Sequence, residues 1–247
     1  MIDELLDTLY NKIEKSLSNV NGKIFVPISG GLDSRVVAGI LSKRQKIDLS
    51  YVYFNIDRDV RHVQYSSQIA NKLNIEKYYV IPISNKEIDI NFKKISSWDL
   101  PKNEVFTAFT KLNGLVDLKE YTLYIPHGLE YMTGIHITQF DLIYKSKNEK
   151  IDDWYLNKWR QFEERWVEKY KIFFKNIITT WNEDLVSFCL DLPLKYRCNQ
   201  KLYRRMIMKY LPEISSIPRD CLNFRIDQGE FLYTLNRFMY SCQKLLK

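Results

Sequence analysis

Residues 23–43 read KIFVPISGGLDSRVVAGILSK, and the fold class follows from this stretch. Lys23 to Ile28 is a short run rich in apolar and β-branched residues, the composition of a buried strand. Ser29-Gly30-Gly31 breaks the run and allows a tight turn whose backbone comes close to another group. Asp33 and Ser34 stand where a helix would begin, with side chains able to cap its free N–H groups. Val36, Val37, Ile40 and Leu41 then recur at helical spacing. Strand, glycine turn and helix N-terminus in that order build an anion site, because the amides point outward and the helix dipole favours negative charge.

The loop matches neither GxxxxGK[ST] nor GxGxxG. Ser29 to Arg35, SGGLDSR, resembles the pyrophosphate loop of the ATP pyrophosphatases. With Leu before the Asp and Arg after the second Ser, it is most similar to the synthetase domain of asparagine synthetase and its relatives. The resemblance implies cleavage of ATP between the α and β phosphates. It implies that Ser29, Gly30, Gly31, Leu32, Asp33 and Ser34 hold the pyrophosphate part, with Asp33 also binding Mg²⁺. An acid inside a phosphate loop suits magnesium, which takes a carboxylate or two together with phosphate oxygens and waters. The competing reading is an ordinary Gly-Gly turn capped by Asp and Ser; the strand before and the helix after weigh against it.

The 247 residues can bury a real core, and 45% apolar with 27% charged residues is ordinary for a globular chain. No apolar run approaches bilayer length, and the N-terminus, MIDELLDTLYNKIEKSL, is amphipathic and acidic, unlike a secretory signal. The expected location is cytoplasmic, with no membrane partner. Cys189, Cys198, Cys221 and Cys242 form no CxxC pair, which argues for reduced thiols rather than zinc or iron–sulfur ligation. The net charge of +7 admits an anionic nucleotide and also RNA, but Lys and Arg are spread rather than blocked.

Outward from the loop, residues 2–19 read as an amphipathic helix with Leu5, Leu6, Leu9, Ile13 and Leu17 on one side. Leu49 to Asp57 is a second strand, 60–73 a helix with Val63, Ile69 and Leu73 inward, and Tyr78 to Ile83 a third strand. Repeated strand–helix units argue a parallel sheet with right-handed crossovers, whose ligands gather at the carboxyl ends of the strands. Phe54 to Asp57 is thus a candidate wall for adenine, with Asp57 and Asp59 read as loop or cap residues. Asp99, in a Trp-Asp-Leu-Pro loop, is read as a solvated acid rather than a ligand, and Glu104 to Leu115 as a helix.

Tyr121 to Pro126 is a fourth strand, followed by His127-Gly128-Leu129-Glu130-Tyr131-Met132-Thr133-Gly134. In the asparagine synthetase family a strand here ends in a glycine turn, an acid that binds a second metal, and another glycine. Setting Gly134 on that last glycine places Glu130 on the acid and Gly128 on the earlier glycine, so the resemblance implies that Glu130 joins Asp33 as a magnesium ligand. The family's Asp-Glu pair is here a single Glu. A solvent-facing Glu in a strand-end turn is the alternative, and His127 and His136 read as structural histidines. Residues 138–153 turn polar and read as a lid-like excursion. From Trp154 to Thr180, Trp159, Phe162, Trp166, Tyr170 and Phe173 recur at helical spacing, as core packing rather than a base-stacking surface.

Asn182 to Pro193 again looks like the family, which carries an acid, an apolar helix and Leu-Pro at this point. Lys201 and Arg205 then match the family's Lys-three-Arg pattern opening a helix. The resemblance implies that Lys201 is the catalytic cation, with Arg205 supporting phosphate or Lys201 itself. A positioned ammonium would stabilise charge gathering on the phosphate oxygens as pyrophosphate leaves. The other reading is a solvated Lys in a basic helix, with Arg204 as a spare candidate. The segment Pro218 to Asp227 is irregular and shows no motif.

The expected architecture is one α/β domain of the adenine nucleotide alpha hydrolase type: residues 1–22 an N-terminal helix, 23–137 a nucleotide-binding core with a parallel sheet of about five strands, 154–247 a helical part. The expected chemistry is adenylation of a small carboxylate by ATP and Mg²⁺ and transfer of the acyl group to ammonia or an amine. A glutaminase domain with an N-terminal Cys is not seen in this sequence, which starts Met1-Ile2, so free ammonia, a separate ammonia-supplying protein or another amine would serve. Two rivals stand beside it. A tRNA-modifying ATP pyrophosphatase would use the basic charge, though thiolating members need a cysteine pair. A non-catalytic nucleotide-binding relative would follow if Glu130 fails to complete the metal site.

Overall fold

Five strands pair in parallel in the order β3-β2-β1-β4-β5, in the computed structural model of the chain. They are β1 (Lys23–Pro27), β2 (Leu49–Asn55), β3 (Tyr78–Ile83), β4 (Tyr121–Ile125) and β5 (Asn176–Thr179). The structure describes residues 2–18, 22–56, 61–94, 104–133, 161, 164–219, 225–227, 229, 232–235 and 239. Asp57, Asp59, Asp99, Gly134, His136, Trp159, Phe162 and the polar excursion at 138–153 lie outside them.

The expected α/β class with a parallel sheet of five strands flanked by helices is the one observed. The helices are α1 (Ile2–Ser16), α2 (Leu32–Arg44), α3 (Arg61–Lys72), α4 (Asn85–Lys94) and α5 (Glu104–Asn113). The first four strands, α1, α2, α3 and α5 fall where the periodicity puts them, while α4 carries no such expectation. The fifth strand is a correction. Residues 154–180 read as helical from their aromatic spacing, yet 176–179 pair with β4 from Thr122↔Asn176 to Ile125↔Thr179. The sequence Asn-Ile-Ile-Thr is too short for alternation to declare itself, and its β-branched residues only half-bury at the sheet edge.

The strands are apolar on both faces because both faces are covered. Ile24, Val26 and Ile28 of the first strand and its extension join a core with Leu6, Leu9 and Ile13 of α1 and Val36, Val37, Ile40 and Leu41 of α2. Phe25, between them, points the other way and packs with Tyr51, Phe109 and Phe174. The carboxyl-terminal helices α7 (Glu183–Asp191), α8 (Leu194–Arg197), α9 (Lys201–Tyr210) and α10 (Pro212–Ser215) complete the first of these faces, α1 lying against α7 and α9.

This order creates the crevice. The chain runs outward from β1 through β2 to β3, then returns so that β4 lies on the other side of β1. The crossover from β1 to β2 lays α2 on one face, whereas α5 before β4 and Tyr170 before β5 lie on the other, so the loops after β1 and β4 flank the position where open α/β sheets take ligands. Those two loops are the two motifs the sequence singles out.

Candidate functional site

The turn after β1 is held by its own two serines. The Ser34 hydroxyl accepts from the Ser29 N–H at 3.0 Å and lies 3.0 Å from the Ser29 hydroxyl, which accepts from the Gly31 N–H at 3.1 Å. Helix α2 starts at Leu32 with Gly31 as its N-cap, and no side chain caps it. This corrects the expectation that Asp33 and Ser34 cap the helix: Ser34 is turned back to Ser29 instead. The first amides of α2 are thereby left to face outward at the positive end of the helix dipole.

Arg35 locks this turn in place. Its buried guanidinium donates to the carbonyls of Gly31 at 3.1 Å and Gly30 at 2.8 Å, and to those of Ile214 at 3.2 Å, Ile217 at 2.7 Å and Pro218 at 2.9 Å. The loop carbonyls are drawn inward, away from the face where an anion would sit. The segment after α10 is tied to the loop by the same side chain.

The second motif closes on the first. Gly128 has φ 95°, in the left-handed region open to glycine, and lets the chain turn from β4 into the short helix α6 (Leu129–Met132). Helix α6 packs on α2. The Glu130 N–H reaches the Asp33 carboxylate, and the two carboxylates are close enough to perturb each other. Burial first, and then the Glu130 charge, push Asp33 well above the usual carboxylate range, against the opposing pull of Arg219, the Tyr203 hydroxyl and the Glu130 N–H. The Tyr203 hydroxyl donates to Asp33 Oδ1 at 3.3 Å. Burial, with the Asp33 and Glu130 charges, raises Tyr203 in turn. A guanidinium nitrogen of Arg219 stands 2.6 Å from Glu130 Oε1, both side chains being largely buried. That oxygen nevertheless accepts no hydrogen bond, so charge alone pairs it with the guanidinium.

Two partly buried carboxylates that perturb each other, with one oxygen of Glu130 lacking a hydrogen bond, suit a hard divalent cation, which would relieve their repulsion and complete its shell with phosphate oxygens and water. Asp33 and Glu130 are thus the residues that could hold Mg²⁺. Among the described residues no group of three or more acidic, His or Cys side chains gathers to hold a metal by itself.

Beside the loop a cavity of about 390 Å³ opens between the carboxyl ends of β1, β2 and β4. Ser29 and Ser34 form part of its wall, with Tyr51, Phe109 and Tyr170 as an aromatic floor and Asn55, His62, Glu104 and His127 as polar groups. Asn55 donates to Glu104 at 3.2 Å, and a ring nitrogen of His62 pairs with the Tyr53 carbonyl at 2.8 Å. Burial lowers His127 to about 4, so its imidazole is neutral. The cavity has the size and mixed lining of a small-molecule pocket.

Ser29, Gly30, Gly31, Leu32, Asp33, Ser34, Gly128 and Glu130 are therefore brought together by the fold. Lys201 opens α9, half-buried, and its side chain makes no hydrogen bond or ion pair among the described residues; Arg205, one turn on, is exposed. Arg204 is buried with its guanidinium 3.5 Å from the centre of the Tyr233 ring, a packing role. Three residues at the site had no signal in the sequence: Tyr203, Arg219 and Gln200, whose Oε1 accepts from Arg219 at 3.1 Å. Asn199 and Gln200 both adopt positive φ, 53° and 57°, just before α9. Such strain in non-glycine residues gathers at functional sites. Only the fold reveals it.

No protein-family model matches the sequence. Among curated proteins the chain is similar to the NH(3)-dependent NAD(+) synthetase of Mesoplasma florum, 26% identical over 145 residues, which are 56% of this chain and 58% of that protein. The chain thus spans somewhat more than half the length of the curated relative it matches. Two solved structures also resemble it, each at a TM-score of 0.37. One is an NMN synthetase from Francisella tularensis, 18% identical over 53% of this chain and 58% of that one. The other is an NH3-dependent NAD synthetase from Campylobacter jejuni, 17% identical over 82% of this chain and 96% of that one.

Proposed function

We propose that this protein is an ATP-dependent amide-forming ligase. It binds ATP with Mg²⁺, adenylates a carboxylate with release of pyrophosphate, and passes the acyl group to ammonia or an amine. The observation that carries the reading is the meeting of Asp33, on the uncapped first turn of α2, with Glu130, on the turn after β4. The similarity to a protein named as an ammonia-dependent synthetase supports it.

On this reading each residue takes a role. The amides at the start of α2 and the hydroxyls of Ser29 and Ser34 bind the β and γ phosphates. Asp33 and Glu130 hold the metal, which would neutralise phosphate charge. The aromatic cavity takes the adenosine part. The oxygen of the substrate carboxylate attacks the α phosphorus, the bond from that phosphorus to the bridging oxygen breaks, and pyrophosphate leaves with the electron pair. Lys201 stabilises the charge built up in that step, and Arg205 supports it. Nitrogen then attacks the acyl carbon, AMP leaves, and the amine gives up a proton. Ammonia serves as nucleophile, free or delivered by another protein. The Ser29–Arg35 loop and the Lys201–Arg205 spacing favour an asparagine synthetase-like acid, and the curated relative's name favours a dinucleotide acid. Both are carboxylates made into amides.

The test is ATP–pyrophosphate exchange across a panel of carboxylates, with and without ammonia, on the protein and on Lys201→Ala. Exchange that needs a carboxylate and falls at least about a hundredfold in the variant is expected. Full exchange in Lys201→Ala would remove that residue from its role. Binding of an ATP analogue without exchange on any acid would overturn the ligase reading in favour of a nucleotide-binding protein, and salt-sensitive tRNA retention would redirect it to RNA.

A further inference from the structure

The cation that touches the acid pair is Arg219, in a segment whose composition carries no motif. Its backbone is placed by Arg35, which donates to the carbonyls of Ile217 and Pro218 with the same guanidinium that holds Gly30 and Gly31. Residue 219 therefore starts one peptide away from a strand of chain stitched to the phosphate loop. Its side chain is 6% exposed as a residue and forks between two acceptors. One nitrogen donates to Gln200 Oε1 at 3.1 Å and the other lies 2.6 Å from Glu130 Oε1. Gln200 is itself fully buried and held in its left-handed backbone conformation at the start of α9.

A guanidinium and a divalent ion would compete for the same Glu130 oxygen, and they repel each other. Both cannot keep it unless an anion is added. With Asp33 and Glu130 ionised, Arg219 leaves one net negative charge; a divalent ion turns that to one net positive. The phosphate chain is the anion that restores balance, and it can offer the guanidinium hydrogen bonds that Glu130 Oε1, an ion-pair partner without one, does not. We propose that Arg219 is a further phosphate-binding residue of this site. It neutralises Glu130 in the nucleotide-free protein, and moves onto the nucleotide phosphates when a divalent ion takes Glu130. Gln200 is the pivot. This rests on the reading of the loop as an ATP phosphate site.

The experiment titrates the full chain with Mn²⁺ alone, by electron paramagnetic resonance, and with α,β-methylene-ATP plus Mg²⁺, by calorimetry. Arg219→Gln should bind Mn²⁺ about tenfold more tightly and the analogue at least about tenfold more weakly. Glu130→Gln added to it should abolish the gain in Mn²⁺ binding. A purely structural role would weaken both ligands together. Unchanged or weaker Mn²⁺ binding in Arg219→Gln would overturn the proposal. If that variant does not fold, Arg219→Lys, whose shorter ammonium cannot span Gln200 and Glu130, is read by the same criteria. A wild-type protein that takes no analogue at all would sink the ligase reading, while the Mn²⁺ titrations still decide whether Arg219 and metal compete.

Discussion

The hydroxyl of Tyr203 donates to Oδ1 of Asp33 across 3.3 Å, joining α9 to the first turn of α2. Tyr203 is fully buried, so this bond aims the carboxylate from a rigid base. Tyr203→Phe keeps the ring and removes the aim. It should cost about 1 kcal/mol of stability and weaken Mg²⁺-dependent binding of an ATP analogue by about three- to tenfold, read by calorimetry at several Mg²⁺ concentrations. Equal affinity in the variant would show that Asp33 needs no such support.

Arg35 makes five hydrogen bonds to main-chain carbonyls on two segments far apart in sequence. Arg35→Met fills the space but leaves those carbonyls unmet. A loss of at least about 3 kcal/mol in urea unfolding is expected, because each buried orphan costs on the order of 1–3 kcal/mol. Arg35→Lys should rescue only part, since one ammonium cannot match the planar fork. Near wild-type stability in Arg35→Met would refute the role of this side chain as the tie between loop and carboxyl-terminal segment.

Gly39 lies in the middle of α2, where helix propensity favours alanine. A Cβ there would stand 2.9 Å from Leu211 Cδ2 and 3.0 Å from Ile214 Cδ1. Both neighbours are fully buried and have little room to withdraw. Overpacking should outweigh the propensity gain, so Gly39→Ala is expected to lower stability by roughly 1 kcal/mol and Gly39→Val by roughly 3. A raised melting temperature for Gly39→Ala would show that α10 shifts more easily than its packing implies.

Burial holds His127 near pH 4, below its ordinary value of 6.5. The unfolded chain therefore takes up the proton first as pH falls. The contribution of neutral His127 is complete above about 6.5 and drains away towards 4, by at most on the order of 3 kcal/mol. His127→Gln should flatten that part of the stability curve, and NMR titration should show the ring neutral at pH 5.5. A His127 midpoint near 6.5 would sink the prediction.

Much of the site is local and could be read without coordinates. The loop from Ser29 to Ser34 and the turn from Gly128 to Glu130 each declare themselves by glycine placement between a strand and a helix. Arg35 was visible as part of the loop motif, but nothing in its neighbours revealed that it faces inward to carbonyls from α10 and beyond. Likewise Arg219 stands between Pro218 and Asp220 with no motif or spacing to set it apart.

Sequence alone was enough for four parallel strands, the helices α2, α3 and α5 and the two motif loops, because these depend on side-chain periodicity and backbone permissiveness over a few residues. Tertiary structure decided which edge the fifth strand joins, the pairing of Asp33 with Glu130, and the choice of Tyr203, Gln200 and Arg219 as their neighbours. Those are contacts between segments distant in the chain, set by sheet order and by what must be buried together, and no local pattern encodes them.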